Sequence, residues 1–179
     1  EMIKHGLIHS IEYLDKVKSF DILKITELED LIWESILIKN DVITKDPFEK
    51  NIRKTLNYGH TLGHAIESYS LDQNKFPSLL HGEAIAIGMV LTNYISFVQL
   101  GFPEKTLSDT SHYIIKKFNK YLFSKEDINA IIKLLKFDKK NYSGKVLFVL
   151  LNDIGNYKLN CEVSNSLLLE AFEYYKNYK

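Results

Sequence analysis

The sequence predicts a mainly helical single domain over residues 1–179 with one small β-hairpin. Three observations carry that prediction. Apolar residues recur at helical spacing through most of the first 137 positions. One segment, from Glu83 to Gln99, is apolar all round and so reads as a buried core helix. Near the end, Val146–Leu151 and Tyr157–Cys161 flank the turn residues Asn152 to Gly155, which is a hairpin signal.

The elements follow in order. Residues 1 to 18 read as one helix, with Met2, Ile3, Leu7, Ile8, Ile11, Leu14 and Val17 at helical spacing. Residues 21 to 43 read as a second, with Ile25, Leu28, Leu31, Ile32, Ile36 and Val42 on its buried side and Trp33 as a packing residue. Pro47, in Asp46-Pro47-Phe48-Glu49, ends it. A polar, histidine-bearing stretch follows, and residues 70 to 80 read as a loop. Gly101-Phe102-Pro103 stops the core helix. Thr106 to Asn119 and Ser124 to Phe137 read as further helices, the second opened by Ser124 and Asp127 in a capping-box arrangement. Ser166 to Tyr175 closes the chain as a helix. There are no repeats, low-complexity tracts or internal linkers.

Composition narrows the function. The 179 residues are 45% hydrophobic and carry 23 Lys plus Arg against 23 Asp plus Glu. A balanced chain has no global basic field for nucleic acid. The single cysteine, Cys161, excludes an internal disulfide and a cysteine-based zinc cluster. No apolar run is read as membrane-spanning and no signal peptide is visible, so a cytoplasmic protein is expected. The chain opens at Glu1, inside an amphipathic pattern, which suggests a piece of a longer protein.

The organising stretch is Arg53-Lys-Thr-Leu-Asn57-Tyr-Gly-His60-Thr-Leu-Gly-His64-Ala-Ile-Glu67, with His81-Gly82-Glu83 after it. His60 and His64 are four apart and share a helix face, as do Arg53 and Asn57. His81 arrives at the head of the core helix. Three histidines from two helices could hold a zinc ion with an open position. The metalloprotease pattern is absent, because Thr61 follows His60. Glu49, four residues before Arg53, reads as a surface ion-pair partner. Lys39, Lys4 and the pair Lys139-Lys140 read as solvated charges on residue type alone.

These motifs resemble the 3-dehydroquinate synthases. The central stretch and His81-Gly-Glu-Ala-Ile-Ala-Ile-Gly-Met89 carry the match, the opening Glu1-Met-Ile-Lys4-His-Gly6 resembles that family's zinc-ligand helix, and Asp138-Lys139-Lys140 with the hairpin resembles its closing segment. The match covers the C-terminal half of such an enzyme. The N-terminal NAD-binding half has no counterpart, and no Gly-rich dinucleotide loop occurs. The resemblance implies a phosphorus–oxygen lyase of the shikimate pathway of aromatic amino acid biosynthesis. It would convert 3-deoxy-arabino-heptulosonate 7-phosphate to 3-dehydroquinate and phosphate by NAD-dependent oxidation, elimination, re-reduction and aldol closure. It implies zinc, or another divalent metal such as cobalt, on Glu1, His60 and His81; His64 and Glu49 as proton acceptors; and Lys4, Lys39, Arg53, Asn57 and one of Lys139 or Lys140 on the phosphorylated keto-sugar acid. It also implies a homodimer, and an isolated half that is inactive without its NAD domain. His5 and Ser10 depart from the pattern, standing where many members carry tyrosine and aspartate, and the loop before His81 is a few residues longer.

Rival readings stay open. Another sugar phosphate cyclase would use the same zinc triad on a different phosphate. A glycerol-dehydrogenase-type alcohol dehydrogenase would have no need of Lys39, Arg53 and Asn57. A non-catalytic helical interaction module would have no reason to retain three potential metal ligands, which are costly to bury unpaired.

Overall fold

The computed structural model describes residues 1–19, 25–72, 78–118, 120–137 and 146–178. Where one opening helix is expected there are two, α1 (Met2–His9) and α2 (Ile11–Ser19). Ser10 is extended between them, and its Oγ accepts the Tyr13 N–H at 3.2 Å. That bond satisfies an otherwise orphan donor and starts a new helix. The chain can fold back here because Gly6 has no side chain: a Cβ there would stand 2.7 Å from the Leu14 backbone. Ile3, Leu7, Ile8, Leu14 and Val17 are buried, while Ile11 is exposed.

Helix α3 (Ile25–Lys45) corrects a second expectation. Leu31, Ser35 and Val42 form its buried line, whereas Ile32, Ile36 and Leu37 are exposed and Trp33 is 60% exposed. Apolar residues lie on both sides of this helix, so spacing alone could not identify the covered face. The side chain of Ile25 lies outside the described residues. Tyr13 ties α2 to α3 through a 2.8 Å bond from its hydroxyl to the Leu31 carbonyl.

A 3₁₀ helix (Ile52–Asn57) leads into α4 (His60–Asp72), so residues 70–72, expected in a loop, are helical, and residues 73–77 of that expected loop lie outside the described residues. Helix α5 (His81–Leu100) starts two residues before the expected Glu83. Glu83 is the third residue inside it, and its carboxylate reaches back to the Leu80 N–H at 2.8 Å, as a capping glutamate does. By length and composition α5 could cross a membrane, against the sequence expectation; here it is mostly buried in the protein. Ala84 through Asn93, with Ile95 and Ser96, are buried. The left-handed Gly101 ends it and donates its N–H to the Phe97 carbonyl.

Helices α4, α6 (Glu104–Phe118) and α8 (Asn165–Asn177) and strand β1 (Leu147–Asp153) all pack on α5. An all-apolar helix needs cover on every side, which explains the convergence. Helix α7 (Lys125–Phe137) packs on α4, and its predicted cap is present: Ser124 N–H meets Asp127 Oδ2 at 2.7 Å and Asp127 N–H meets Ser124 Oγ at 3.2 Å. Strands β1 and β2 (Asn156–Glu162) pair antiparallel, with Phe148 opposite Cys161 and Leu151 opposite Tyr157. Gly155, at φ 75°, occupies the hairpin turn, and its N–H bonds the Leu7 carbonyl at 2.9 Å. The hairpin is thereby fixed to both α5 and α1.

Candidate metal centre

The centre exists because α4 and α5 approach unusually closely. A Cβ on Gly63 would stand 3.0 Å from the Ile85 backbone, and one on Gly88 would stand 2.1 Å from the Gly59 carbonyl oxygen. With no side chains at these positions, the start of α4 lies directly on α5. A buried chain of hydrogen bonds runs beneath the contact. Tyr58 donates its hydroxyl to Asn93, and Asn93 donates to Thr110 on α6 at 3.0 Å.

Close approach brings three imidazoles together. His60, His64 and His81 each offer a ligand atom, all within 4.8 Å of one another. Ring centroids are 5.3 Å apart for His60 and His64, 5.8 Å for His60 and His81, and 5.7 Å for His64 and His81.

Two rings are already held from behind. His60 Nδ1 is 3.1 Å from the Tyr58 carbonyl oxygen. A carbonyl only accepts, so this nitrogen carries the proton and Nε2 keeps its lone pair. His81 Nδ1 is 3.0 Å from Glu67 Oε2. A ring nitrogen held by a carbonyl or carboxylate is the usual support of a metal-binding histidine. Burial, reinforced by the nearby Lys4 charge, pushes His60 down to about 4. A neutral imidazole is the form that binds a metal. The donor set therefore suits zinc or cobalt.

The Glu1 carboxylate sits at the start of α1. Its Oε2 is 3.0 Å from Lys4 Nζ and 3.2 Å from His5 Nε2. Lys4 is only 2% exposed, and its ammonium also donates to the Leu56 carbonyl at 2.9 Å. Burial lowers the Lys4 pKa while Glu1 opposes the shift; the charge of Lys39 lowers it further. The Lys4 bond to Leu56 ties α1 to the segment leading into α4.

Glu49 lies in the loop after α3, and Arg53 and Asn57 follow it on the 3₁₀ helix. Asn57 Nδ2 donates to Glu49 Oε1 at 2.6 Å, and Arg53 Nη1 donates to the Pro47 carbonyl at 2.7 Å. The ion pair read between Glu49 and Arg53 is not among the contacts of the described residues. Glu49 has φ 55°, a strained conformation for a residue with a side chain. Asp46 holds the loop in place by accepting the backbone N–H groups of Lys50, Asn51 and Arg53 at 3.0, 2.6 and 3.1 Å. Lys139 and Lys140 lie outside the described residues.

Sequence reading assigned no role to Glu67, Asp46 or Ser35. Glu67 carried a usable signal, since it follows His60 by seven and His64 by three and so shares their helix face. Asp46 and Ser35 carried none, because their partners are set by how the chain turns.

The matching family is described as "3-dehydroquinate synthase C-terminal" and covers residues 1–141. The chain is 39% identical over 178 residues to a 3-dehydroquinate synthase from Parabacteroides distasonis, spanning 98% of this chain and 50% of that protein. It is 31% identical to a 3-dehydroquinate synthase from Helicobacter pylori, spanning 97% of this chain and 49% of that one. The chain thus spans about half the length of the curated relatives it matches. Among solved structures, a 2-deoxy-scyllo-inosose synthase complexed with carbaglucose-6-phosphate, NAD+ and Co2+ aligns with a TM-score of 0.74 at 24% identity, covering 99% of this chain and 50% of that one. A 2-epi-5-epi-valiolone synthase from Streptomyces hygroscopicus with NAD+ and Zn2+ bound aligns with a TM-score of 0.78 at 16% identity, with the same coverage. At these identities the two structures bear on the fold alone.

Proposed function

The chain belongs to the 3-dehydroquinate synthase C-terminal family, and from that premise we propose that it is the metal- and substrate-binding half of a 3-dehydroquinate synthase. The observation that carries the reading is the convergence of His60, His64 and His81, with His60 and His81 already supported through Nδ1. The substrate would be 3-deoxy-arabino-heptulosonate 7-phosphate, and the net reaction the loss of its phosphate with ring closure.

Glu1, His60 and His81 would hold zinc, with His64 beside them as a proton acceptor. Bound zinc supplies Lewis acidity to a substrate hydroxyl. Lys4, Lys39 and Arg53 would neutralise the phosphate and carboxylate, Arg53 with paired donors. Asn57 would orient a substrate hydroxyl, and Glu49, held by Asn57, would take a proton at Oε1. Either Lys139 or Lys140 would add a further cation. NAD would be held mainly by the other half of a full-length enzyme of this family, so residues 1–179 alone would be inactive. A cytoplasmic location fits the one buried cysteine.

The test uses the full-length protein. Zinc- and NAD-dependent phosphate release from this substrate, abolished in His60→Ala, supports the reading. Zinc binding without release points to a related sugar phosphate cyclase; neither binding nor release points to a non-catalytic module. His64→Ala separates the two possible ligand sets. Zinc retained with activity lost supports the proton role, whereas zinc lost assigns His64 to the metal.

A further inference from the structure

His5 is 1% exposed and faces a polar group on each side. Its Nδ1 is 2.8 Å from Ser35 Oγ on α3. Its Nε2 is 3.2 Å from Glu1 Oε2 but off the line that an N–H···O bond needs, and it has no other hydrogen-bond partner. A buried polar atom without a partner is costly, and a small rotation of the Glu1 carboxylate would satisfy it. The His5 ring itself is buried between α1 and α3 and held by Ser35.

The direction of the chain of bonds follows from chemistry. A carboxylate only accepts, so a bond to Glu1 places the proton on Nε2. Nδ1 is then an acceptor, and Ser35 donates its hydroxyl to it. Lys4 Nζ approaches the same Glu1 oxygen, Oε2, at 3.0 Å. Among the described residues, Oε1 makes no hydrogen bond or ion pair. One carboxylate oxygen is thus held from the protein side and the other is left for a cation.

We propose that His5, oriented by Ser35, is a positioning residue that fixes the Glu1 carboxylate for metal binding. The inference rests on Glu1 being a ligand, as proposed above. It concerns a residue at which this chain departs from the family pattern, so this chain would reach the arrangement by its own means. His5 touches neither metal nor substrate and acts only through Glu1.

The experiment measures zinc affinity of the full-length protein by competition with a chromophoric chelator. His5→Phe fills the space without either hydrogen bond and is expected to weaken zinc by about 10- to 100-fold, the usual cost of removing such a supporting group. Ser35→Ala should weaken it less, in the same direction. His5→Gln keeps a donor and should recover part of the loss, which a purely structural role for the ring would not produce. In a Glu1→Ala background, His5→Phe should cost nothing more. Unfolding of the metal-free variants in urea identifies any that fail to fold, and for His5→Phe the Ser35→Ala result then decides. Unchanged affinity in His5→Phe and Ser35→Ala, with Glu1→Ala weakened, overturns the positioning role and leaves Glu1 as a ligand. Unchanged affinity in Glu1→Ala, with His60→Ala weakened, overturns the ligand role of Glu1 and the inference with it.

Discussion

The carbonyl oxygen of Gly59 occupies the space that a side chain on Gly88 would need, 2.1 Å from where its Cβ would lie. Gly59 immediately precedes His60, and Gly88 lies two helical turns beyond His81. The same contact therefore sets the separation of the two helices and the distance between their histidines.

Gly88→Ala cannot be relieved by turning a flexible side chain, because the obstructing atom is backbone. Helices α4 and α5 would have to separate. Overpacking of this kind costs about 1–3 kcal/mol or more, readable in urea unfolding. Zinc affinity should fall too, since His81 moves away from His60. Gly82→Ala is the control: among the described residues nothing lies within 4 Å of a Cβ there, so it should leave the urea midpoint and zinc affinity near those of the parent.

Much of this arrangement was legible in the sequence. The spacing of His60 and His64, the all-apolar α5, the stop at Gly101 and the Ser124–Asp127 cap all depend on neighbours within a few residues. What escaped depended on distant ones. The break at Ser10 needs Leu14 to fold against Gly6, and a helical period continues through it undisturbed. Trp33, Ile32 and Ile36 lie at helical spacing yet remain exposed, because the covered face of α3 is chosen by α1 and the 3₁₀ helix. Glu49 and Arg53 are four apart, but the segment after Pro47 turns on Asp46, so each finds a different partner.

Glu67 supports His81 through one 3.0 Å bond. Glu67→Ala should leave the fold intact, since this carboxylate is partly exposed, while allowing the His81 ring to turn. Zinc affinity should drop by about 10- to 100-fold. Glu67→Gln keeps an acceptor oxygen and should fall between the two. Equal zinc affinity in all three proteins would remove Glu67 from the centre.

Asp46 gathers three backbone N–H groups from the loop that carries Glu49 and the start of the 3₁₀ helix that carries Arg53. Burial pushes its carboxyl up, but those three bonds and the Arg53 charge hold it below its usual value. Asp46→Ala should release the strained Glu49 backbone and the Arg53 guanidinium together. On the proposed function, KM for the phosphorylated substrate rises and kcat falls, while zinc affinity stays near that of the parent. Loss of zinc as well would mean that Asp46 supports the whole domain rather than this loop.

Acid should weaken the metal-free protein through histidines that the fold keeps neutral. Burial, aided by the neighbouring His5 ring, holds His9 down to about 4, and His60 is held at about 4 as well. In the unfolded chain both titrate near the ordinary value of 6.5. Between these values the unfolded state binds more protons than the folded one, so stability falls as pH falls. The histidine share of the urea midpoint should be level above about pH 7, decline from about 6.5 and be spent near 4; below that, carboxylates held under their usual value, Asp46 among them, continue the decline. His9→Phe removes one of the two groups from a position where His9 Nε2 is buried without a partner. Its midpoint should decline less over the same range. A decline as steep as the parent's would assign the acid sensitivity to other groups.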